Sequence, residues 1–118
     1  MAIMKASAIK SIISYDDFEK IDIRAGTIEA VEDIKGADKL VKLTVDFGDH
    51  KRTIIAGIKQ EREDPTTIEG KQALFVVNLE PRKMMGEYSQ GMVLAAEDDT
   101  GLRLLIPDKD TKPGSKVS

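Results

Sequence analysis

The sequence predicts an all-β domain, an OB-type five-stranded barrel with short helices and additional strands towards its C-terminus. Three observations predict it. Apolar and polar residues alternate with a period of two in several short runs separated by Gly, Asp and Pro turns. The first of these runs changes phase at a glycine, as a strand must when it bends to serve two neighbours. A polar, helix-compatible stretch follows the third run, and more strands follow it, which is the strand order of such a barrel. An all-β sandwich would share the spacing, and the bent first strand favours the barrel.

The elements follow in order. Residues 1–14 form an N-terminal arm, MAIMKASAIKSIIS. Its Met4, Ala8, Ile9, Ile12 and Ile13 recur at spacings of three and four, with Lys5 and Lys10 off the stripe, so the arm reads either as a short amphipathic helix or as a frayed end. A helix this short needs a surface to pack on, such as a second subunit. The domain proper runs over 15–118. Ser14 is placed to cap a short helix at Tyr15–Glu19, with Asp16, Asp17 and Glu19 near its positive end.

Ile21, Ile23 and Ala25 share one parity, and Ile28 and Ala30 the other. The slip across Gly26-Thr27 predicts a bend, with one partner strand before it and another after it. Lys35-Gly36-Ala37-Asp38 is a turn. Val41, Leu43, Val45 and Phe47 alternate with Lys42, Thr44 and Asp46, Gly48-Asp49 reverses the chain, and Arg52–Ala56 returns as the other half of a hairpin. Gly57 to Asp64 is helix-compatible, and Pro65 is expected to stop it. Gln72–Asn78, Gly91–Ala96 and Leu102–Ile106 supply three further strands, and Ser115–Val117 a last short one after Pro113-Gly114.

Composition narrows the function. A chain of 118 residues, 41% hydrophobic and 33% charged, has the make-up of one globular domain. It has no cysteine, which excludes disulfides and thiolate metal sites. No apolar run approaches the roughly 20 residues that span a bilayer, and lysines interrupt the N-terminus where a secretory signal would be apolar. The expected address is the cytoplasm, without a membrane partner. The only histidine, His50, lies in the hairpin turn, an exposed position rather than that of a general base. Phosphate-cradling glycine motifs are missing, and Asp98-Asp99 beside a turn suits solubility better than metal binding. The expectation is a chain that is not an enzyme and uses no cofactor or metal.

A net charge of −3 argues against indiscriminate polyanion binding. The distribution says more than the total. Acids gather at Glu61–Asp64 and Glu97–Asp99, whereas Arg82-Lys83 stands in apolar sequence. That pair lies in Asn78–Met92, read as a long loop between the fourth and fifth strands. Arg82 and Lys83 suit phosphates, Asn78 and Ser89 suit ribose hydroxyls and phosphate oxygens, and Met92 offers a soft apolar surface. Taken singly, Met84, Met85 and Met92 more simply close the barrel. Lys39 and Arg52 either widen the basic face or are solvated edge charges. The chain has no Trp, and Phe18, Phe47 and Phe75 fall at core positions. Tyr15 and Tyr88 are too few to stack successive bases of a single strand. A structured RNA held through its backbone and 2′-hydroxyls fits better.

Several motifs in one order then resemble a known family. They are Asp17-Phe18-x-Lys20-Ile21-Asp22-Ile23-Arg24-x-Gly26-Thr27-Ile28, Ala37-Asp38-Lys39-Leu40, Lys51-Arg52-x-Ile54, Ala56-Gly57-Ile58, Asn78-Leu79-x-Pro81-Arg82-Lys83-Met84 and Ser89-x-Gly91-Met92. Together they resemble the tRNA-binding domain of methionyl-tRNA synthetases and of free-standing structure-specific tRNA-binding proteins, over roughly residues 15 to 118. The resemblance implies an OB barrel that binds tRNA through Asn78, Arg82, Lys83, Ser89 and Met92, with Lys39 and Arg52 less firmly placed. It also implies a homodimer, and a methionyl-tRNA synthetase catalytic subunit as a partner. A dimeric, peptide-binding, chaperone-like protein of the same fold is the alternative.

Overall fold

The computed structural model describes residues 7–118. Residues 7–14 are exposed and carry no regular secondary structure, and the rest of the arm lies outside the described residues. Helix α1 (Tyr15–Glu19) begins as its sequence dictates, with the Asp17 amide donating to the Ser14 hydroxyl at 3.1 Å. Short as it is, α1 buries none of its residues. Phe18 is 47% exposed, which corrects its assignment to the core.

Strand β1 (Ile23–Asp33) organises the barrel. It pairs antiparallel with β4 (Gln72–Val76) over Ile23–Thr27 and with β2 (Val41–Asp46) over Thr27–Asp33. Thr27 is therefore the pivot that the phase slip predicted, and a bulge follows between Ile28 and Ala30. The glycine beside it answers a contact: a Cβ on Gly26 would stand 2.5 Å from Val45 Cγ1 and 2.8 Å from Phe47 Cε1. β2 forms the expected hairpin with β3 (Lys51–Ala56). β7 (Met92–Val93) adds to β4, giving one five-stranded sheet in the order β3-β2-β1-β4-β7.

The sheet curls into a nearly closed barrel whose seam lies between β3 and the residues before β7. Side chains do much of the closing there. The Gln90 amide donates to the Thr53 carbonyl (2.8 Å), the Thr53 amide to Gln90 Oε1 (2.8 Å), and the Ile55 amide to Ser89 Oγ (3.0 Å). Inside, Ile28, Val41, Leu43, Val45, Ile54, Ile68 and Phe75 are wholly buried. A second, smaller cluster of Ile34, Ala37 and Ile55, with Leu40 and Met84 against it, sits outside the barrel wall. Ile54 and Ile55 thus serve two cores from opposite faces of one strand.

Further expectations need correction. The stretch 78–92 is not an open loop: it holds a hairpin of β5 (Arg82–Met84) and β6 (Glu87–Ser89). Its two turn residues, Met85 and Gly86, have φ of 50° and 80°, the left-handed pair that matches strand twist in a two-residue turn. Second, Pro65 starts a turn of 3-10 helix (Pro65–Ile68) rather than stopping one, because a first helical residue needs no free amide. Asp64 caps it, accepting from the Thr66 amide at 3.0 Å, while a separate 3-10 turn covers Lys59–Glu61. Third, the strands placed at 91–96 and 102–106 are β7 and a separate hairpin of β8 (Ala95–Asp98) and β9 (Gly101–Leu104), and the fourth strand ends at Val76. The tail contributes an isolated bridge, Arg24 to Lys116, where a short strand was expected. Among the described residues no helix is long and apolar enough to cross a membrane.

Candidate nucleic-acid interface

Residues at 82 and 83 point to opposite faces of a strand, so the hairpin divides the basic pair. Lys83 stands opposite Tyr88 in register, its Nζ 5.9 Å from the ring centroid, and both side chains are exposed. Arg82 stands opposite Ser89 and shares the face of Met84 and Glu87. That face looks towards the barrel. Met84 packs on the outer cluster, Glu87 pairs with Lys42 at 3.5 Å, and Ser89 is buried, while Arg82, near the hairpin's open end, stays exposed.

The turn at 35–38 abuts the hairpin tip, since a Cβ on Gly36 would lie 3.6 Å from Met85 Cε. The outer cluster therefore unites two elements, and Lys39, the residue after that turn, is exposed. Two other cations are engaged within the fold. Lys59 pairs with Asp33 at 3.4 Å and donates to the Ala37 carbonyl at 3.2 Å. Arg24 grips Asp22 with two bonds (2.6 and 3.0 Å), which hold the Asp22 carboxyl below its ordinary range and raise the guanidinium. Among the described residues Lys39, Arg82 and Lys83 enter no salt bridge.

The remaining expected contact residues are placed differently. Ser89 turns inward: its hydroxyl accepts from the Ile55 amide and donates to the Gly91 carbonyl (2.8 Å), so it positions the seam rather than a ligand. Asn78 uses its side-chain amide within the fold, accepting from the Asp22 amide (2.8 Å) and donating to the Lys20 carbonyl, which pins the exit of α1. Arg52 is a half-buried brace. It donates to His50 Nε2 (3.0 Å) and to the carbonyls of Val77 (2.5 Å) and Gln90 (3.0 Å), and its guanidinium lies 6.0 Å from the Phe47 ring centroid. Met92 is 48% exposed on β7, opposite Val76.

Two residues were left out of the site when it was read from the sequence. Gln90 holds the seam, and Tyr88 borders a groove of about 540 Å³ beside the hairpin. A signal for Tyr88 existed, because Lys83 and Tyr88 flank Met85-Gly86 symmetrically and become cross-strand partners once that dipeptide is a turn.

Ser89→Ala is expected to lower stability by about 2 kcal/mol, since it strands the buried Ile55 amide. Urea unfolding should show a lower midpoint at an unchanged slope. Unchanged stability with lost RNA affinity would return Ser89 to the contact set.

Comparison with known proteins now places the chain. A methionine–tRNA ligase of Parabacteroides distasonis is 46% identical over 114 residues, covering 96% of this chain and 17% of the ligase. This chain thus spans only a small part of the length of that relative. Among solved structures, a MetRS-related protein from Pyrococcus horikoshii superposes with a TM-score of 0.85 at 38% identity, covering 92% of this chain and all of the other. A CsaA chaperone protein from Picrophilus torridus gives 0.82 at 37%, covering 91% of this chain and again the whole of the other. The family model for a tRNA binding domain matches residues 23–116, from the first residue of β1 to the tail bridge, and the chain belongs to that family.

Proposed function

We propose that this chain is a non-catalytic, structure-specific tRNA-binding protein of the cytoplasm, working with or as a subunit of methionyl-tRNA synthetase. The observation that carries the reading is the hairpin Arg82–Ser89, which presents Arg82 and Lys83 exposed and, among the described residues, outside every salt bridge, as is Lys39 beside the adjoining turn. Free cations are what release counterions from a polyanion, and contacts to phosphate fix register without reading sequence. Lys39, Arg82 and Lys83 then reach the backbone, and Met92 adds apolar surface. Asn78, Arg52 and Ser89 shape the face from behind. Acting beside a catalytic subunit, such a second contact raises the local concentration of tRNA.

Titration with several unrelated tRNAs at two salt concentrations tests this. Binding should be salt-sensitive and nearly indifferent to tRNA identity. Arg82→Ala with Lys83→Ala should weaken it roughly tenfold or more at low salt and flatten the salt slope by about two. An unchanged slope would move the interface elsewhere.

A second reading has its own support. Ile12, Ile13, Tyr15, Phe18 and Ile21 leave an apolar strip exposed along α1 and the chain before it, and one structural neighbour is a chaperone. A homodimer burying that strip, with the arm at 1–14 helping the association, would bind peptides between its subunits. Light scattering, with and without residues 1–14, and protection of an aggregating client separate it from the first reading.

A further inference from the structure

We infer that Tyr88 stacks a single unpaired base of the bound RNA, with Lys83 on the adjoining phosphate; this rests on the RNA-binding reading of the hairpin. Tyr88 is 58% exposed on the hairpin face turned away from the outer cluster, so it has no packing duty in the core. Its backbone is held by a three-pair ladder and a two-residue turn. An aromatic ring presented on such a support meets a base at little cost in conformational freedom.

The surroundings select the ligand. The groove of about 540 Å³ is bordered by Thr53, Pro81, Gly86, Glu87, Tyr88 and Gln90, but not by Lys83, so the ring stands between the cation and the groove. Glu87 borders the groove, but its carboxylate belongs to the opposite face of the hairpin, where it answers Lys42 at 3.5 Å. Gln90 Oε1 is engaged by the Thr53 amide, which leaves its NH2 group to donate to a base carbonyl or a ribose oxygen. The phosphate belongs on the other side of the ring, where Lys83 waits. With one such ring at this site, the hairpin takes one base and not a run, which suits a folded RNA presenting a base from a loop or bulge.

The chain has no Trp and two Tyr, so Tyr15→Phe leaves Tyr88 as its one source of tyrosine emission. Titrating that variant with tRNA, with a stem-loop RNA and with a blunt duplex of equal length should quench the emission for the first two and not for the third. Tyr88→Ala and Tyr88→Leu should each weaken tRNA binding about tenfold, Tyr88→Phe less than about twofold, and none should alter the salt slope. Because the side chain is exposed, thermal midpoints should hold, which separates the effect from unfolding. Unquenched emission at saturating tRNA, or wild-type affinity for Tyr88→Leu, would overturn the stacking assignment. So would Tyr88 variants that bind tRNA normally and lose a protein partner instead. Full binding by the Arg82→Ala, Lys83→Ala chain is a separate result, and would remove the hairpin reading beneath the inference.

Discussion

Gly114→Ala should destabilise the fold by roughly 4 kcal/mol, among the larger effects of any single substitution. Gly114 has φ +89°, and a Cβ there would overlap the carbonyl oxygen of Phe47. That oxygen cannot withdraw easily, because the Phe47 amide donates to the His50 carbonyl at 2.9 Å and holds the hairpin turn. Gly114 is equally fixed, its amide donating to the Ala25 carbonyl at 2.7 Å and its own carbonyl accepting from Arg24 at 3.2 Å. Gly48 faces the same junction, where a Cβ would stand 2.7 Å from the Pro113 oxygen. The tail and the β2–β3 turn thus meet backbone to backbone. Gly70→Ala is the matched control: φ is +85° but a Cβ meets nothing within 4 Å, so only the conformational cost of about 1 kcal/mol applies. Urea midpoints of the two variants measure the difference, and similar losses would refute the junction.

Phe75→Ala should cost about 3–5 kcal/mol, the range for emptying an aromatic site in a core. Phe75 is wholly buried and meets Phe47 edge to face, with centroids 5.5 Å apart and planes at 83°. Phe47 in turn carries His50 stacked at 5.6 Å and the Arg52 guanidinium. The cavity would therefore open beneath the brace that Arg52 makes to the carbonyls of Val77 and Gln90. Phe75→Leu, which keeps most of the volume, should lose less than half as much. Calorimetry under conditions where both variants stay folded decides it. A loss below about 1.5 kcal/mol for the alanine variant would mean that the barrel collapses around the site.

How far the sequence could be read depended on whether an element's pattern came from its own neighbours or from distant ones. Strand alternation made the β2–β3 hairpin plain, and the parity slip at Gly26 located the bend of β1 because both are local consequences of facing one core. The β5–β6 hairpin was hidden because its turn is Met85-Gly86: methionine at positive φ is rare, and the usual Asn-Gly or Asp-Gly cue is missing. Phe18 misled for the opposite reason, since a hydrophobic residue in a helix with nothing packed on it looks the same in sequence as one in a core. In the candidate site, Arg82 and Lys83 were legible as an adjacent basic pair away from the acidic clusters at Glu61–Asp64 and Glu97–Asp99. Ser89, Asn78 and Arg52 were chemically suited to a ligand, and the partners that engage them instead, the Ile55 and Asp22 amides and the Val77 carbonyl, are 25 to 56 residues away. Residue type reveals what a group can bind, and only the fold reveals what it already has bound.

The seam between β3 and residues 89–91 behaves as a latch in an otherwise welded wall. Two of its three amide bonds end on side-chain oxygens, those of Ser89 and Gln90, so hydrogen exchange there should report an opening below the free energy of unfolding the whole domain. The basic hairpin is the chain segment leading directly into that latch. Whatever clamps the hairpin from outside also keeps the barrel shut, and a partner gripping Arg82 and Lys83 would slow deuterium uptake at Thr53 and Ile55 without touching either.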